Sequence, residues 1–442
     1  MRVQVWAEMS EAERSAFLVR GTSKIFDPEL ADAVRAITDE VRTHGDAAVS
    51  RALARFDGCD VAPHDLIVRR DEIEAAVLSV DVRVRDAIRW GIENVRRYNE
   101  RVLLGADWRM DLAPGIEVGE QSRPIASVGL FVPSGKGSFP SVLVQIGTPA
   151  VVASVPEITV VVPPVAGSDG RVDPAVLAAA AELGLWRVYR ANGPAGVAAL
   201  AFGTASVPPH DKVLGPGSPA VQAAMLEVQR HGCVTQMVLG PSESLIIADN
   251  SADPALLAAD LLNEAEHGPD SSSILVTDSP ALVAATQAHL AAQLTQLPEP
   301  RASYARSSLG ENGGAVIVRN IAEAAEVASR WAPEHMQIAT RDDEAVLAMI
   351  DHAGEVLLGQ ATPISAANYL IGVPAALPTG RFARVSSAVT ARTFMKTTSI
   401  ARLSEQSLLQ MADPICALAD HEGFPAHAAA IRIRRERVDS TP

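Results

Sequence analysis

The chain has 442 residues, room for two to four domains of about 150 residues each and more than one buried core, which excludes a single small module. Its 38 Lys and Arg against 53 Asp and Glu give a formal charge of -15, a balance that repels phosphate backbones and anionic lipid and argues against nucleic acid or a membrane surface as a partner. Apolar residues make up 48 % but aromatics only 4 %, so the cores must be built from Ala, Val, Leu and Ile, as in helices packed closely on a parallel sheet.

The first 23 residues read as an arm in which charge alternates with apolar side chains, without the continuous apolar core of a signal peptide. No stretch approaches the ~18 uninterrupted apolar residues of a membrane span. Cys59, Cys233 and Cys416 lie far apart with no CxxC spacing, so neither a disulfide framework nor a thiolate zinc site is legible. Together these features predict a cytoplasmic protein.

From Asp27 to about Asn99 the apolar spacing is helical with charged faces, which predicts an antiparallel helical lead-in. From Ile125 short β-branched runs alternate with helical stretches: IASVGLFVP, VLVQIGTPAVVASV, ITVVVPP, DPAVLAAAAELG, VYRA, AGVAALAFG, DKVLGP and SPAVQAAMLEVQRHG. The rhythm restarts after Gly240 with SLIIAD, PALLAADLLNEAEHG, SSILVTD, SPALVAATQAHLAAQLTQL, AVIVRN, IAEAAEVASRWA, QIAT and EVLLG. Strand, helix, strand, helix means βαβ units, hence an α/β protein with two doubly wound parallel-sheet domains and a possible internal duplication. The polar stretch from residue 298 to 314 reads as a loop excursion within the second sheet. After about Arg384 the rhythm stops, leaving two helical stretches, TFMKTTSIARL and AHAAAIRIRRER, too short to make a core alone.

Five places in this frame have side chains suited to chemistry. Gly215-Pro-Gly217-Ser218-Pro-Ala220 follows a strand and opens a helix, which fits the GxGxxG/A dinucleotide pattern or a plain strand-to-helix turn. VPSGKGSFPS, from Val132 to Ser141, is a second Gly/Ser loop whose amides could face a phosphate or simply close a tight turn. Glu264 and His267 share one face of the last turn of a helix, either as joint ligands of a divalent metal or as a solvated helix end with a dipole-favoured His. Glu334 and His335 follow a proline-terminated helix at what reads as the carboxyl edge of a sheet, where one could take a substrate proton and the other activate water. Glu422 and His427 in EGFPAH add a carboxylate and an imidazole to the tail, with a surface loop as the plainer reading.

The blocks VGLFVPSG, AALAFGT, DKVLGPG, GPSESLIIAD, LLNEAEHGPDS, APEHMQIAT, NYLIG…LPTG…SS and EGFPAH occur in an order that resembles the histidinol dehydrogenase family over roughly residues 20 to 435. The resemblance implies a homodimer of two-domain, Rossmann-like subunits with an extended tail exchanged between them. It divides the chain into an N-terminal arm (1–23), a discontinuous first Rossmann-like domain bearing metal and catalytic residues (24–128 and 240–385), a second on the nucleotide side (129–239), and a dimerisation tail (386–442). The implied activity is a four-electron, NAD-dependent, zinc-assisted oxidation of a primary alcohol through the aldehyde to the carboxylate.

Carried over to matching positions, His335 would be the general base and Glu334 the activator of water. Ser242 and Glu422 match substrate contacts, and Glu264, His267, Asn368 and His427 match the zinc ligands, the last donated by the partner subunit. The family's ligand set is Gln, His, Asp and His, so amide and carboxylate have changed places here while one carboxylate and two imidazoles remain. Ala375 stands where the family has a substrate-binding His. Phe131, Ala195 and Ser218 stand where its nucleotide site has Tyr, Gln and Asn, so NAD would bind differently or more weakly. L-histidinol is the default substrate. The departures leave open a paralogue acting on another small polar alcohol, and a catalytically degenerate dimeric binding protein.

Overall fold

The computed structural model describes residues 1–19, 24–134, 137–236 and 240–439. Gly135 and Lys136 of the VPSGKG loop lie outside the described residues, as do the boundaries drawn at residues 23 and 239 and the last three residues of the tail. The chain divides into two compact units, Met1–Val102 with Ile125–Phe394, and Leu103–Pro124 with Met395–Pro442.

The larger unit holds two wholly parallel sheets. One has five strands in the order Val188–Arg190, Glu157–Val162, Ser127–Phe131, Lys212–Leu214 and Val234–Thr235. The other has six, in the order Val3–Val5, Gly314–Ile317, Ser272–Thr277, Glu243–Ala248, His335–Ala339 and Glu355–Leu358. Without the N-terminal strand, both sheets have chain order 3-2-1-4-5, the arrangement in which a crevice opens beside the first strand at the point where winding reverses. The first strand of each, Ser127–Phe131 and Glu243–Ala248, is buried on every residue, as expected of strands covered on both faces.

Helix starts follow the sequence closely. Asp173, Ser218, Asp253 and Ser279 each precede a proline at the first helical position, and each side chain accepts from a first-turn amide. The helical lead-in, grouped from the sequence with the strands after Gly240, instead shares a core with the five-stranded sheet: Val34, Val41, Val49 and Leu53 pack with Phe131, Val161 and Leu200. Between residues 298 and 314 the chain is helical over Arg301–Ser307 and continues as a π turn over Ser308–Asn312, so this stretch is no open loop.

In the smaller unit, Trp108–Ala113 and Ile116–Pro124 form a hairpin that closes at Gly115, whose φ of 77° suits a residue without a side chain. The stretch expected to be helical, TFMKTTSIARL, supplies the strand Met395–Leu403, in nine-residue antiparallel register with Ile116–Pro124. Thr397, Thr398 and Ile400 are β-branched and stiff, and they prefer a pleated surface to a helix once a partner strand exists. Residues 103–124, assigned from the sequence to the first domain, therefore belong with the tail. Two helices, Glu405–His421 and Pro425–Asp439, complete this unit around Cys416, Ala419 and Ala428. Among the described residues, no helix is long and apolar enough to cross a membrane.

Candidate active site

A cavity of about 390 Å³ gathers the chemistry in the larger unit. Pro133, Ser134, Pro216, Gly217 and Ser218 line it from the loops that follow the first and fourth strands of the five-stranded sheet. Gly240, Pro241, Ser242, Glu334 and His335 line it from the starts of the first and fourth strands of the other sheet. Glu334 and His335 thus stand at the amino edge of their sheet rather than the carboxyl edge. The helix Ile321–Trp331 ends at Ala332, held at a φ of 50°, Pro333 cannot extend it, and pairing begins at once with His335.

Backbone contacts fix this corner. Glu355 N–H donates to the Glu334 carbonyl at 3.0 Å and Gly354 N–H to that of Pro333 at 2.9 Å. A Cβ on Gly354 would fall 2.5 Å from the Glu334 oxygen, so only glycine lets the two chains approach this closely. The Glu334 carboxylate accepts from Glu243 N–H at 2.9 Å, and Glu243 in turn accepts from Gly380 N–H at 3.0 Å. Thr379 clamps Gly240, its hydroxyl accepting from the amide and donating to the carbonyl, both at 3.0 Å. The GPSE and LPTG blocks are in this way parts of one cradle.

His335 is 3 % exposed. Its Nδ1 is hydrogen-bonded to the Glu355 carboxylate, and its Nε2 lies 3.8 Å from Glu334 Oε1. Burial pushes the Glu334 carboxyl up to about 8, with the Glu264 and Glu243 carboxylates adding to the shift and His335 opposing it. Burial alone would depress His335, but the carboxylates of Glu355, Glu264 and Glu334 outweigh it and raise the ring's pKa. Three carboxylates act on one imidazole.

Glu264 lies in the last turn of the helix Pro254–Ala265, whose Leu257, Ala258 and Leu261 anchor it to the six-stranded sheet. Its side chain is 1 % exposed; Oε1 sits 3.2 Å from His267 Nδ1, while Oε2 is buried with no hydrogen-bond partner among the described residues. His267 Nδ1 also lies 3.1 Å from the Asn263 carbonyl, which can only accept, so Nδ1 carries the hydrogen and Nε2 the lone pair. An orphaned carboxylate oxygen, an imidazole with its other nitrogen already engaged, and the amide of Asn368 on the same cavity wall fit a divalent cation. Among the described residues no three His, Cys, Asp or Glu side chains converge as a complete ligand cage, consistent with a set that counts an amide among its members.

Ser242 and Ala375 line the cavity, and Ala375 N–H donates to Gln145 Oε1 at 3.2 Å. Ser218 lines it too and caps the helix Pro219–Gln229 through Val221 N–H. Phe131 and Ala195, expected at a nucleotide, are each 1 % exposed and belong to the apolar core. The reason is local: Phe131 ends a strand buried on both faces and its ring packs beneath the helix bearing Ala195, where Gly196 makes room. Glu422 and His427 lie in the smaller unit, on either side of the turn between its two helices. Sequence reasoning missed Gln145, Glu243 and Glu355. For Glu355 the signal was strand register, which sets it opposite His335.

The family model for histidinol dehydrogenase matches residues 21–435. The chain belongs to the histidinol dehydrogenase family. It is 38 % identical over 432 residues to a protein of Mesorhizobium japonicum named histidinol dehydrogenase homolog 2, covering 98 % of this chain and 97 % of the relative. It is also 38 % identical to the histidinol dehydrogenase of Synechocystis, covering 94 % and 95 % of the two chains. The crystal structure of histidinol dehydrogenase from Elizabethkingia anophelis superposes with a TM-score of 0.92 at 30 % identity, over 99 % of this chain and 98 % of that one. This histidinol dehydrogenase-like chain is therefore an α/β oxidoreductase built on parallel sheets, of a family that uses NAD and zinc.

Proposed function

We propose that the chain is an NAD-dependent, zinc-assisted dehydrogenase that oxidises a small polar primary alcohol through the aldehyde to the carboxylate, with L-histidinol as the default substrate. The observation that carries this reading is the convergence of Glu334 and His335 with Glu264, His267 and Asn368 on one cavity at the winding reversal of a nucleotide-type sheet. When bound, zinc would supply a Lewis acid held by Glu264, His267 and Asn368, and nicotinamide would supply the hydride acceptor.

The chain's own groups divide the remaining work. With Nδ1 held by Glu355, Nε2 faces the cavity; the raised pKa favours the imidazolium in the empty site, so the ring must first give up its Nε2 proton, and it can then take the alcohol proton as hydride leaves the carbinol carbon. Glu334, beside that nitrogen, would hold a water and accept its proton as the oxygen attacks the aldehyde. The hydrate would then give a second hydride to a second NAD that has replaced the first NADH, leaving the acid. Gly215 lets the phosphate side of the cleft close tightly, because a Cβ there would meet the Phe131 carbonyl at 2.0 Å. Ser218 and the amides of the following helix offer donors at its N-terminus.

In this reading the two parallel sheets are Rossmann-like domains of a cytoplasmic homodimer. The smaller unit is its exchanged tail, giving His427 to zinc and Glu422 to the substrate of the partner subunit. Ala375 favours a second reading for substrate identity alone: where the family places an imidazole, this cavity has a methyl group, which suits a different small polar alcohol. The test is a panel of L-histidinol, other amino alcohols and polyols, followed by nicotinamide reduction in zinc-loaded protein. Reduction with any of them supports the dehydrogenase, and the preferred alcohol decides between the two readings. The absence of turnover together with no NAD binding by calorimetry would favour a degenerate binding protein.

A further inference from the structure

We propose that Glu355 is the positioning residue of the active-site base, holding the His335 ring so that Nε2 alone faces the cavity; this rests on the dehydrogenase reading for its kinetic consequence only. His335 and Glu355 open neighbouring parallel strands and are direct register partners, so their side chains project from the same face of the sheet. The Glu355 carboxylate accepts from His335 Nδ1, and its side chain is 6 % exposed against 4 % for His335. The backbone of the pair is tied as well, through Glu355 N–H to the Glu334 carbonyl. Glu355 does not line the cavity, whereas Glu334 and His335 do. It therefore acts through the imidazole and not on substrate.

Two consequences follow from the bond. A carboxylate can only accept, so in the neutral ring it fixes the proton on Nδ1 and the lone pair on Nε2. It also stabilises the imidazolium formed when Nε2 takes a proton, the role a buried carboxylate plays behind any histidine base. A ring free to rotate or to switch tautomer would present a hydrogen where the alcohol needs an acceptor. Among the described residues the second oxygen of Glu355 is buried without a hydrogen-bond partner, so His335 is the polar group there that this carboxylate serves.

The experiment compares full-length wild type with Glu355→Ala and Glu355→Asp, using His335→Asn to assign the signal. Proton spectra of the imidazole N–H region should show a far-downfield ring resonance in the wild type. That resonance should be absent from His335→Asn, lost in Glu355→Ala and retained at a shifted position in Glu355→Asp. With an alcohol that the wild type oxidises, kcat should fall on the order of 10²-fold in Glu355→Ala with KM little changed, and recover in part in Glu355→Asp. A resonance unchanged in Glu355→Ala, or a loss confined to KM, overturns the proposal. A wild type that shows the resonance and reduces no NAD with any alcohol overturns the dehydrogenase reading while leaving the pairing in place.

Discussion

Glu264 and His267 meet across the last turn of one helix, Oε1 to Nδ1 at 3.2 Å, while the second Glu264 oxygen is buried with nothing to accept from among the described residues. A buried carboxylate left half satisfied is costly, and a cation on the cavity side offsets that cost. Metal-free Glu264→Gln should therefore match or exceed metal-free wild type in thermal stability, whereas zinc should stabilise the wild type far more than the variant. Saturation at about 100 times the dissociation constant would add about 2.7 kcal/mol. Thermal unfolding with and without zinc measures both; equal stabilisation of the two proteins would remove Glu264 from the ligand set.

The exchange of amide and carboxylate between positions 264 and 368 makes a second prediction. Glu264→Gln alone leaves only neutral ligands, and adding Asn368→Asp restores one carboxylate on the opposite side of the ion. Zinc content after dialysis should be high in the wild type, low in the single variant and recovered in the double variant. A double variant as empty as the single one would show that these two positions do not share an ion.

Glu334 and His335 should separate by step. His335→Asn should abolish the first hydride transfer without releasing metal, and Glu334→Gln should leave that step largely intact while the aldehyde stage slows on the order of 10²-fold. Stopped-flow NADH formation in single turnover distinguishes them, and an unchanged first step in His335→Asn would exclude this residue as the base.

Gly354→Ala tests the same corner without touching either side chain. The added methyl would lie 2.5 Å from the Glu334 carbonyl oxygen and 3.2 Å from Leu377 Cβ, so the backbone carrying Glu334 must shift. The second oxidation should slow at least as much as the first, with zinc content unchanged. Wild-type kinetics would show that this close approach is dispensable.

Burial raises the Asp260 carboxyl from its ordinary 3.8 to about 6, with a hydrogen bond from Gln337 opposing the shift. The folded protein thus holds the proton more tightly than the unfolded chain, so the penalty is absent below about pH 4, grows as pH rises to 6, and is constant above. Asp260→Asn should be no more stable than wild type at pH 4 and more stable at pH 7, by up to about 3 kcal/mol. Denaturant midpoints across this range give the slope, and a constant difference would show that Asp260 does not titrate in this window.

Most of both sheets was legible because their strands are short apolar runs and four of the intervening helices open on an Asp or Ser followed by Pro; the edge strand Val3–Val5, read as part of an arm, was not. The tail was not. Met395–Leu403 becomes a strand only by pairing with Ile116–Pro124, nearly 280 residues earlier, and long-range pairing leaves no local trace. In the site, Glu334, His335, Glu264 and His267 stood out as adjacent or helically spaced titratable pairs. Glu355 did not, since its link to His335 is set by register between parallel strands. Phe131 and Ala195 were misplaced for the converse reason: a position matched by alignment carries no information on whether its side chain faces a ligand or the core.

The most direct test is the stoichiometry of NADH formed per alcohol consumed to completion by the zinc-loaded enzyme. Oxidation from alcohol to acid releases two hydrides, so the ratio should be two, with carboxylate as the product. A ratio of one with aldehyde released, or no NADH at all from any alcohol in the panel, would contradict the roles given to Glu334 and His335.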